Sequence, residues 1–266
     1  KGRAVVNFSY DQGFQQPTRT PKMADSYTFA SVANEMAVLR HSDPNSDPVL
    51  PYTPEDLAKF KAGKEPGYRT TDWYRRTMHK WVPQHRTNVS VSGGSDRINY
   101  FFSVGELMQR DRFKESSGKY RQYNVRSNID VKIARSLTMG LNLAGTFDKR
   151  HVPYFSSTEM ASHIFLYHPY WETYWPGTNY LKPLRGDQNW VNMVSDNAGY
   201  HDLENKKFQG TLFLKWEVPW VKGLMLEASG SYDTLHEYWK TFRTPSYVYH
   251  EDGEGGYVKK LDGLAP

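Results

Sequence analysis

Residues 123–133 read Tyr-Asn-Val-Arg-Ser-Asn-Ile-Asp-Val-Lys-Ile. Tyr123, Val125, Ile129, Val131 and Ile133 share one parity, broken only by Ser127. Asn124, Arg126, Asn128, Asp130 and Lys132 occupy the other. On a helix the two sets would mix around the axis. On a strand, where successive side chains point to opposite sides, they separate into an oily face and a charged face. The stretch is therefore predicted to be a strand with one apolar side.

The same period-2 pattern extends outward from it. Leu137, Met139, Leu141, Leu143 and Phe147 alternate with Thr138, Asn142 and Thr146; Ile98, Tyr100, Phe102 and Val104 alternate with Arg97, Asn99 and Ser103. Further on, Leu212, Leu214, Trp216 and Val218 oppose Thr211, Lys215 and Glu217, and Leu224, Leu226, Ala228 and Tyr232 oppose Glu227, Ser229, Ser231 and Asp233. With segments near 3–14 and 86–92, the expected strands lie near 3–14, 86–92, 97–108, 120–133, 137–147, 208–218 and 224–235, about seven or eight in all.

The connections alternate in length. Tight turns are expected at Gly93-Gly94-Ser95-Asp96, at Ala134-Arg135-Ser136 and at Pro219–Gly223, with glycine where a positive φ is needed. Between them run long connections over 15–85, 109–119 and 148–206. A soluble sandwich has no reason to gather its long loops at one end. An outer-membrane barrel has short periplasmic turns and long extracellular loops. The fold class read here is all-β: part of an antiparallel up-and-down transmembrane β-barrel, with short helices in long extracellular loops. Helices are expected over 25–40, from Thr53-Pro54-Glu55-Asp56 to a stop at Gly63, from Thr71 or Asp72, and around 157–166.

Composition agrees. The chain has 266 residues, 38% hydrophobic and 15% aromatic, with 19 Tyr, 13 Phe and 8 Trp. Its mean hydropathy is −0.75. Walls that alternate between lipid and a wet lumen, joined by large wet loops, produce a polar average with many rings. Trp216 and Trp220, flanking a turn, fit an interfacial aromatic girdle. There is no cysteine, which excludes disulfides and thiol-ligated metals. No run of about 18 apolar residues predicts a membrane helix. The net charge of +5 is spread along the chain, unlike the clustered cations of a nucleic-acid groove, so no nucleic-acid partner is expected.

Candidate chemistry is sparse. Glu159 and His163, at i and i+4, with His168 nearby, could be considered as metal ligands, but Pro169 places His168 past the helix end, so no metal is expected. Gly253, Gly255 and Gly256 lack the strand-then-helix context of a phosphate loop. Ser92–Ser95 is no nucleophile elbow. Loop acids such as Asp187 and Asp196 leave a glycosidase pair open only in principle. No residue is given a catalytic role, no cofactor is expected, and the chain is read as a non-enzyme. The strongest site feature is the run Tyr167, Tyr170, Trp171, Tyr174 and Trp175, punctuated by Pro169, Pro176 and Gly177. Of these, Tyr170, Trp171, Tyr174 and Trp175 are the candidate substrate contacts, since exposed rings stack on sugars or grip peptide side chains. The competing reading is a loop packed on itself over the barrel mouth. Arg126, Asn128 and Asp130 are expected to face the lumen.

These residues resemble the SusC/RagA family of TonB-dependent outer-membrane transporters. The resemblance is carried by Gln84–Glu106, with its Ser-Gly-Gly-Ser-Asp hairpin and Tyr100-Phe101-Phe102-Ser103, and by Tyr120–Asp130. Thr71-Asp72-Trp73-Tyr74 fits the same context, and Lys1-Gly2 leading into Val5–Tyr10 resembles the join between a plug domain and the first barrel strand. The resemblance is good to about residue 150 and looser beyond. It implies residence in the outer membrane of a Gram-negative cell and contact with the lipid bilayer. It further implies import of glycans or oligopeptides, a SusD-like surface lipoprotein over the mouth, and the TonB complex acting through a plug domain. It also implies a wall of about 22 strands, of which 1–266 would be the first part. The alternative class is a soluble all-β carbohydrate-binding or glycoside-hydrolase domain; a surface adhesin is a third. In a barrel the apolar parity of 123–133 points outward, and Val131→Lys blocks assembly; in a soluble sandwich that parity is core.

Overall fold

The computed structural model describes residues 2–262, so Lys1 of the opening Lys1-Gly2 lies outside the described residues. Seven strands form one sheet in strict sequence order. They are β1 (Gly2–Gln15), β2 (Val82–Gly94), β3 (Ile98–Arg110), β4 (Lys119–Ala134), β5 (Leu137–Pro153), β6 (Gly199–Glu217) and β7 (Met225–Arg243). Every neighbouring pair is antiparallel. The sheet is an open meander with β1 and β7 at its edges. The turns at 95–97, 135–136 and 218–224 lie at one end. The connections 16–81, 111–118 and 154–198 lie at the other. The turn between β4 and β5 is tightened by a register shift between Lys132 and Ala134.

Register decides which residues share a side. One continuous row of partners runs Phe8, Val89, Val104, Val125, Gly145, Phe208, Thr234. Another runs Ile98, Val131, Met139, Leu214, Ala228. The intervening row is Asn7, Ser90, Ser103, Arg126, Ala144, Gln209, Asp233. The parity read on 123–133 is thus held in phase across the whole sheet, and a slip of one residue anywhere would mix the faces. The apolar face is uncovered: Phe8 is 69% exposed and Val104 53%.

Four strands run well beyond what the alternation predicts. β2 starts at Val82 instead of near 86, β5 continues past 147, β6 starts at Gly199 instead of near 208, and β7 continues past 235. The long connections shrink accordingly to 16–81 and 154–198. On β5 and β6 the added rungs are mostly polar on both faces, and on β7 large rings such as Tyr238, Trp239 and Phe242 fall on both parities, so neither shows a hydrophobic alternation. They are held by cross-strand pairs: Lys149 to Glu204 at 2.9 Å, His151 to Asp202 at 2.6 Å, and Asn205 donating to Asp148 at 3.0 Å.

The buried core lies outside the sheet, in the long connections. Helices α1 (Ser26–Arg40), α2 (Pro54–Ala62), α3 (Trp73–Thr77), α4 (Ser157–Ile164) and α5 (Trp190–Met193) occupy them. Asp25, Thr53, Asp72 and Ser156 cap the first four; Thr53–Asp56 and Ser156–Glu159 close full capping boxes. Gly63 ends α2 at φ 60°, a left-handed geometry that favours glycine. Trp73, Met78, Phe113, Met160, Ile164, Tyr167, Trp190, Val191, Met193 and Val194 pack into one apolar cluster. A hairpin absent from the sequence reading, β8 (Tyr247–Glu251) and β9 (Tyr257–Leu261), follows the sheet and turns at the glycines of 253–256.

Candidate functional site

The chemistry-bearing residues collect at the long-connection end, where three chain segments far apart in sequence meet. Trp73 of α3 donates from Nε1 to the His168 carbonyl at 3.0 Å and meets the Tyr167 ring edge-on at 4.9 Å. Thr71 binds both the Pro169 carbonyl, at 2.6 Å, and the Trp171 carbonyl, at 2.9 Å. Met78 and Phe113 pair by a backbone bridge. The connections are thereby bound into one body over the strand ends.

The aromatic run is divided between two settings. Tyr170 sits among Phe29, Tyr52 and Phe60, its hydroxyl 3.0 Å from that of Tyr52 and 2.7 Å from His168 Nδ1. Trp171 stacks on His168 at 4.3 Å. Burial pushes the Tyr167 and Tyr170 hydroxyls up and the His168 imidazole down, so this nest is uncharged. Trp175 instead docks the hairpin: Nε1 donates to the Tyr249 carbonyl at 2.6 Å and its ring lies 5.4 Å from Tyr257. Lys182 Nζ covers that ring at 4.4 Å. Tyr174 remains 40% exposed. With Trp175, Pro176, Arg69, Arg76 and Glu172 it borders an open groove of about 520 Å³.

Of the metal candidates, Glu159 is engaged in its capping box, His163 stacks on Trp190 at 3.9 Å, and His168 stacks on Trp171. The three turn to different partners. Among the described residues no group of three potential ligands converges.

Sequence reading missed a second space. A cavity of about 460 Å³ lies between the loop body and the polar side of the sheet. Gln109, Tyr120, Arg150, Val152 and His201 enter it from the polar parity of β3 to β6, and Phe113, Phe155, Glu159 and Val194 close it from the loops. No carboxylate pairs with Arg150 among the described residues. His201 is held by Tyr154, whose ring stacks on it at 5.0 Å. Part apolar and part charged, this space suits an elongated polar ligand with some apolar groups. Nothing in the local pattern marks it, because its walls come from strands and loops joined only by register.

Arg126, Asn128 and Asp130 all stand on the polar face, in register with Ala144, Asn142 and Gly140. Arg126 and Asn128 border a shallow hollow of about 320 Å³ with Asn142, Gln209, Thr211 and Asp233. No helix among the described residues is long and apolar enough to cross a membrane.

No family model matches the sequence. No curated protein matches it either. Solved structures do. The chain is similar to chains of the RagAB peptide importer in its closed-closed state (TM-score 0.66, 16% identity) and its open-open state (0.65, 18%). It is also similar to a chain of the RagAB peptide transporter (0.64, 18%). Each match covers 92% of this chain and 29% of the other. The chain therefore spans under a third of the length of these neighbours and shares their fold over nearly all of its own.

Proposed function

We propose that this chain is a wall-and-loop segment of an outer-membrane transporter of the SusC/RagA type. The observation that carries the reading is the apolar face, in phase across seven antiparallel strands and uncovered. A soluble sandwich would lay a second sheet on that face, and none of the described residues does so. A bilayer covers it without protein. Between Leu137 and Phe147 the strand climbs about 33 Å at ~3.3 Å per residue; at the usual tilt of about 40° that is a band roughly 25 Å tall, the apolar height of outer-membrane barrels. The polar face then lines the lumen, with Arg126, Asn128 and Asp130 on it, and further strands beyond β7 close the wall.

The loop body is the extracellular mouth, where a SusD-like lipoprotein would dock. The importers with the same fold carry peptides, which favours an oligopeptide over a glycan as cargo. The cavity beneath the loops and the Tyr174–Trp175 groove are its contact surfaces. Arg150 meets a peptide carboxylate, and the rings take side chains. Transport would be driven by the TonB complex pulling on a plug domain. Cells carrying the native protein should place it in the outer-membrane fraction and take up labelled oligopeptides only when TonB is energised. Recovery in the soluble periplasm, or uptake unchanged when its gene is deleted, would sink the reading.

A further inference from the structure

The outward side of the wall carries a second built feature, at the long-loop ends of β3 and β4. On this side Tyr123 is the last apolar residue of β4 before the polar rungs, and Arg121 and Lys119 follow on the same parity. Arg110 is the direct partner of Lys119, and Met108 that of Arg121. These residues, with Trp81 and Lys114, line a cleft of about 410 Å³. Four strong cations thus border this cleft, and Arg110 and Lys119, at the strand ends, also border the cavity of about 460 Å³.

The one carboxylate in the cleft, Asp111, is occupied by its own loop: Ser116 Oγ donates to it at 2.6 Å and the Arg112 amide at 2.6 Å. Arg121 keeps a loose pair with Glu106 at 3.5 Å. Lys114 donates to the Arg75 carbonyl at 2.6 Å, which leaves its charge without an anion. Among the described residues no carboxylate pairs with Arg110 or Lys119. At the same height on β5 to β7, Lys149 is neutralised by Glu204 at 2.9 Å, and Lys240, bound to the Tyr200 hydroxyl at 3.0 Å, stands alone. At that height the outward side gathers its cations in this cleft. Met108, Pro83 and the Trp81 ring, 48% exposed, line it as well.

Height identifies the ligand. Arg121 and Lys119 lie about 7 and 13 Å along the strand beyond Tyr123 at ~3.3 Å per residue, which at a tilt of about 40° is roughly 5–10 Å above the apolar band. The headgroup layer of a bilayer extends about 5–8 Å beyond the hydrocarbon on each side. An exposed tryptophan is the ring expected at that level.

We infer that the Arg110–Lys119 cleft binds the phosphate of an anionic outer-leaflet lipid, its acyl chains lying on the apolar wall below. The inference rests on the wall reading above, since only then does this parity face lipid. The shared chemistry is an anionic phosphate group; the commitment is to the lipid-borne one, because Arg121 and Lys119 continue the apolar parity of β4 just beyond Tyr123.

The test uses native protein extracted in detergent, stripped of lipid, and offered diphosphoryl lipid A, phosphatidylcholine or millimolar inorganic phosphate, with bound species counted by native mass spectrometry. Lipid A should be retained and phosphatidylcholine should not. The pair Arg110→Gln with Lys119→Gln should weaken lipid A binding about thirtyfold, roughly fivefold for each cation at an anionic surface. Lys149→Gln, at the same height but neutralised, should leave it unchanged. The charge-keeping pair Arg110→Lys with Lys119→Arg should restore it. Equal retention by wild type and the double glutamine variant would overturn the site, and so would displacement of lipid A by inorganic phosphate. Recovery from the membrane fraction is scored separately. Membrane-borne protein with no lipid A preference defeats the headgroup site alone, whereas protein found in the soluble fraction defeats the wall reading.

Discussion

The tip of the Phe213 ring lies over Gly140: a Cβ built on Gly140 would collide with the ring's Cζ. The two are direct partners on neighbouring strands β5 and β6. The ring fills the space that a side chain at 140 would take, on the polar face, with Lys215 Nζ 5.1 Å from its centroid. Gly140→Val must drive the ring off its rotamer, a cost of about 1–3 kcal/mol by analogy with overpacked cores. Removing the ring should relieve it, so Phe213→Ala combined with Gly140→Val should lose less than the two single losses added together. A double-mutant cycle on urea unfolding of the native protein checks this. Additive losses would mean that the ring is not what constrains position 140.

The two faces of β4 should answer a charge in opposite ways. Ile129 lies on the apolar parity near the middle of the band, in register with Tyr100 and Leu141, and Asn128 beside it lies on the polar parity. On the proposed wall, Ile129→Lys should cost about 2–4 kcal/mol as a charge facing lipid near the midplane, and Tyr123→Lys, at the rim, about 0–1 kcal/mol. Asn128→Lys should be close to neutral. Folding into lipid vesicles, followed by tryptophan fluorescence against denaturant, measures all three. Equal losses at 128 and 129 would contradict a lipid-facing parity.

The hairpin β8–β9 should release its hold as pH rises. The Asn189 amide and the Ser246 hydroxyl both donate to Asp262, each at 3.3 Å. Burial nevertheless lifts the Asp262 carboxyl from the usual 3.8 to about 6. The folded state binds this proton more tightly than the unfolded chain. Its contribution is therefore complete below about pH 4 and is lost as pH climbs through about 6. Asp262→Asn keeps the group neutral at every pH. At pH 8 it should slow amide exchange at Asn189 by the equivalent of about 2–3 kcal/mol, at 1.36 kcal/mol per pKa unit. Exchange at Asn189 that follows only the intrinsic rate between pH 4 and 8 in the wild type would rule the effect out.

Tyr174 and Trp175 can be told apart by what else they hold. Trp175 anchors Tyr249, so Trp175→Ala should loosen the hairpin as well as the groove. Tyr174 offers its exposed ring to the groove, and Tyr174→Ala should leave the circular dichroism intact. It should weaken oligopeptide binding about tenfold, roughly 1.4 kcal/mol. Calorimetry with a mixed oligopeptide ligand reads both variants, and unchanged affinity in Tyr174→Ala would remove that ring from the binding surface.

Most of the sheet was legible along the chain because its causes are local. Whether Val125 and Arg126 face apart depends only on backbone geometry. The caps at Thr53 and Ser156 depend on a side chain reaching an amide three residues on. The alternation of short and long connections follows from where such segments stop. The pattern faltered where both faces were wet: residues 201–207 carry no alternation, yet they pair with β5 and β7 along their whole length.

The sequence by itself determined the strands, their apolar parity, the helix caps and the end at which the large connections gather. Only the tertiary structure decided that this parity stays in phase across all seven strands, that Tyr170 and Trp171 face Phe29, Tyr52 and His168 while Tyr174 meets solvent, and that Arg150 opens into a cavity. It also brought Arg110 and Lys119 together without a partner acid. The reason is physical: secondary structure is set by interactions within a few residues, whereas Trp73 finds the His168 carbonyl only after two long connections have closed. The entropy of closing them is offset by shape and burial that no single stretch of sequence contains.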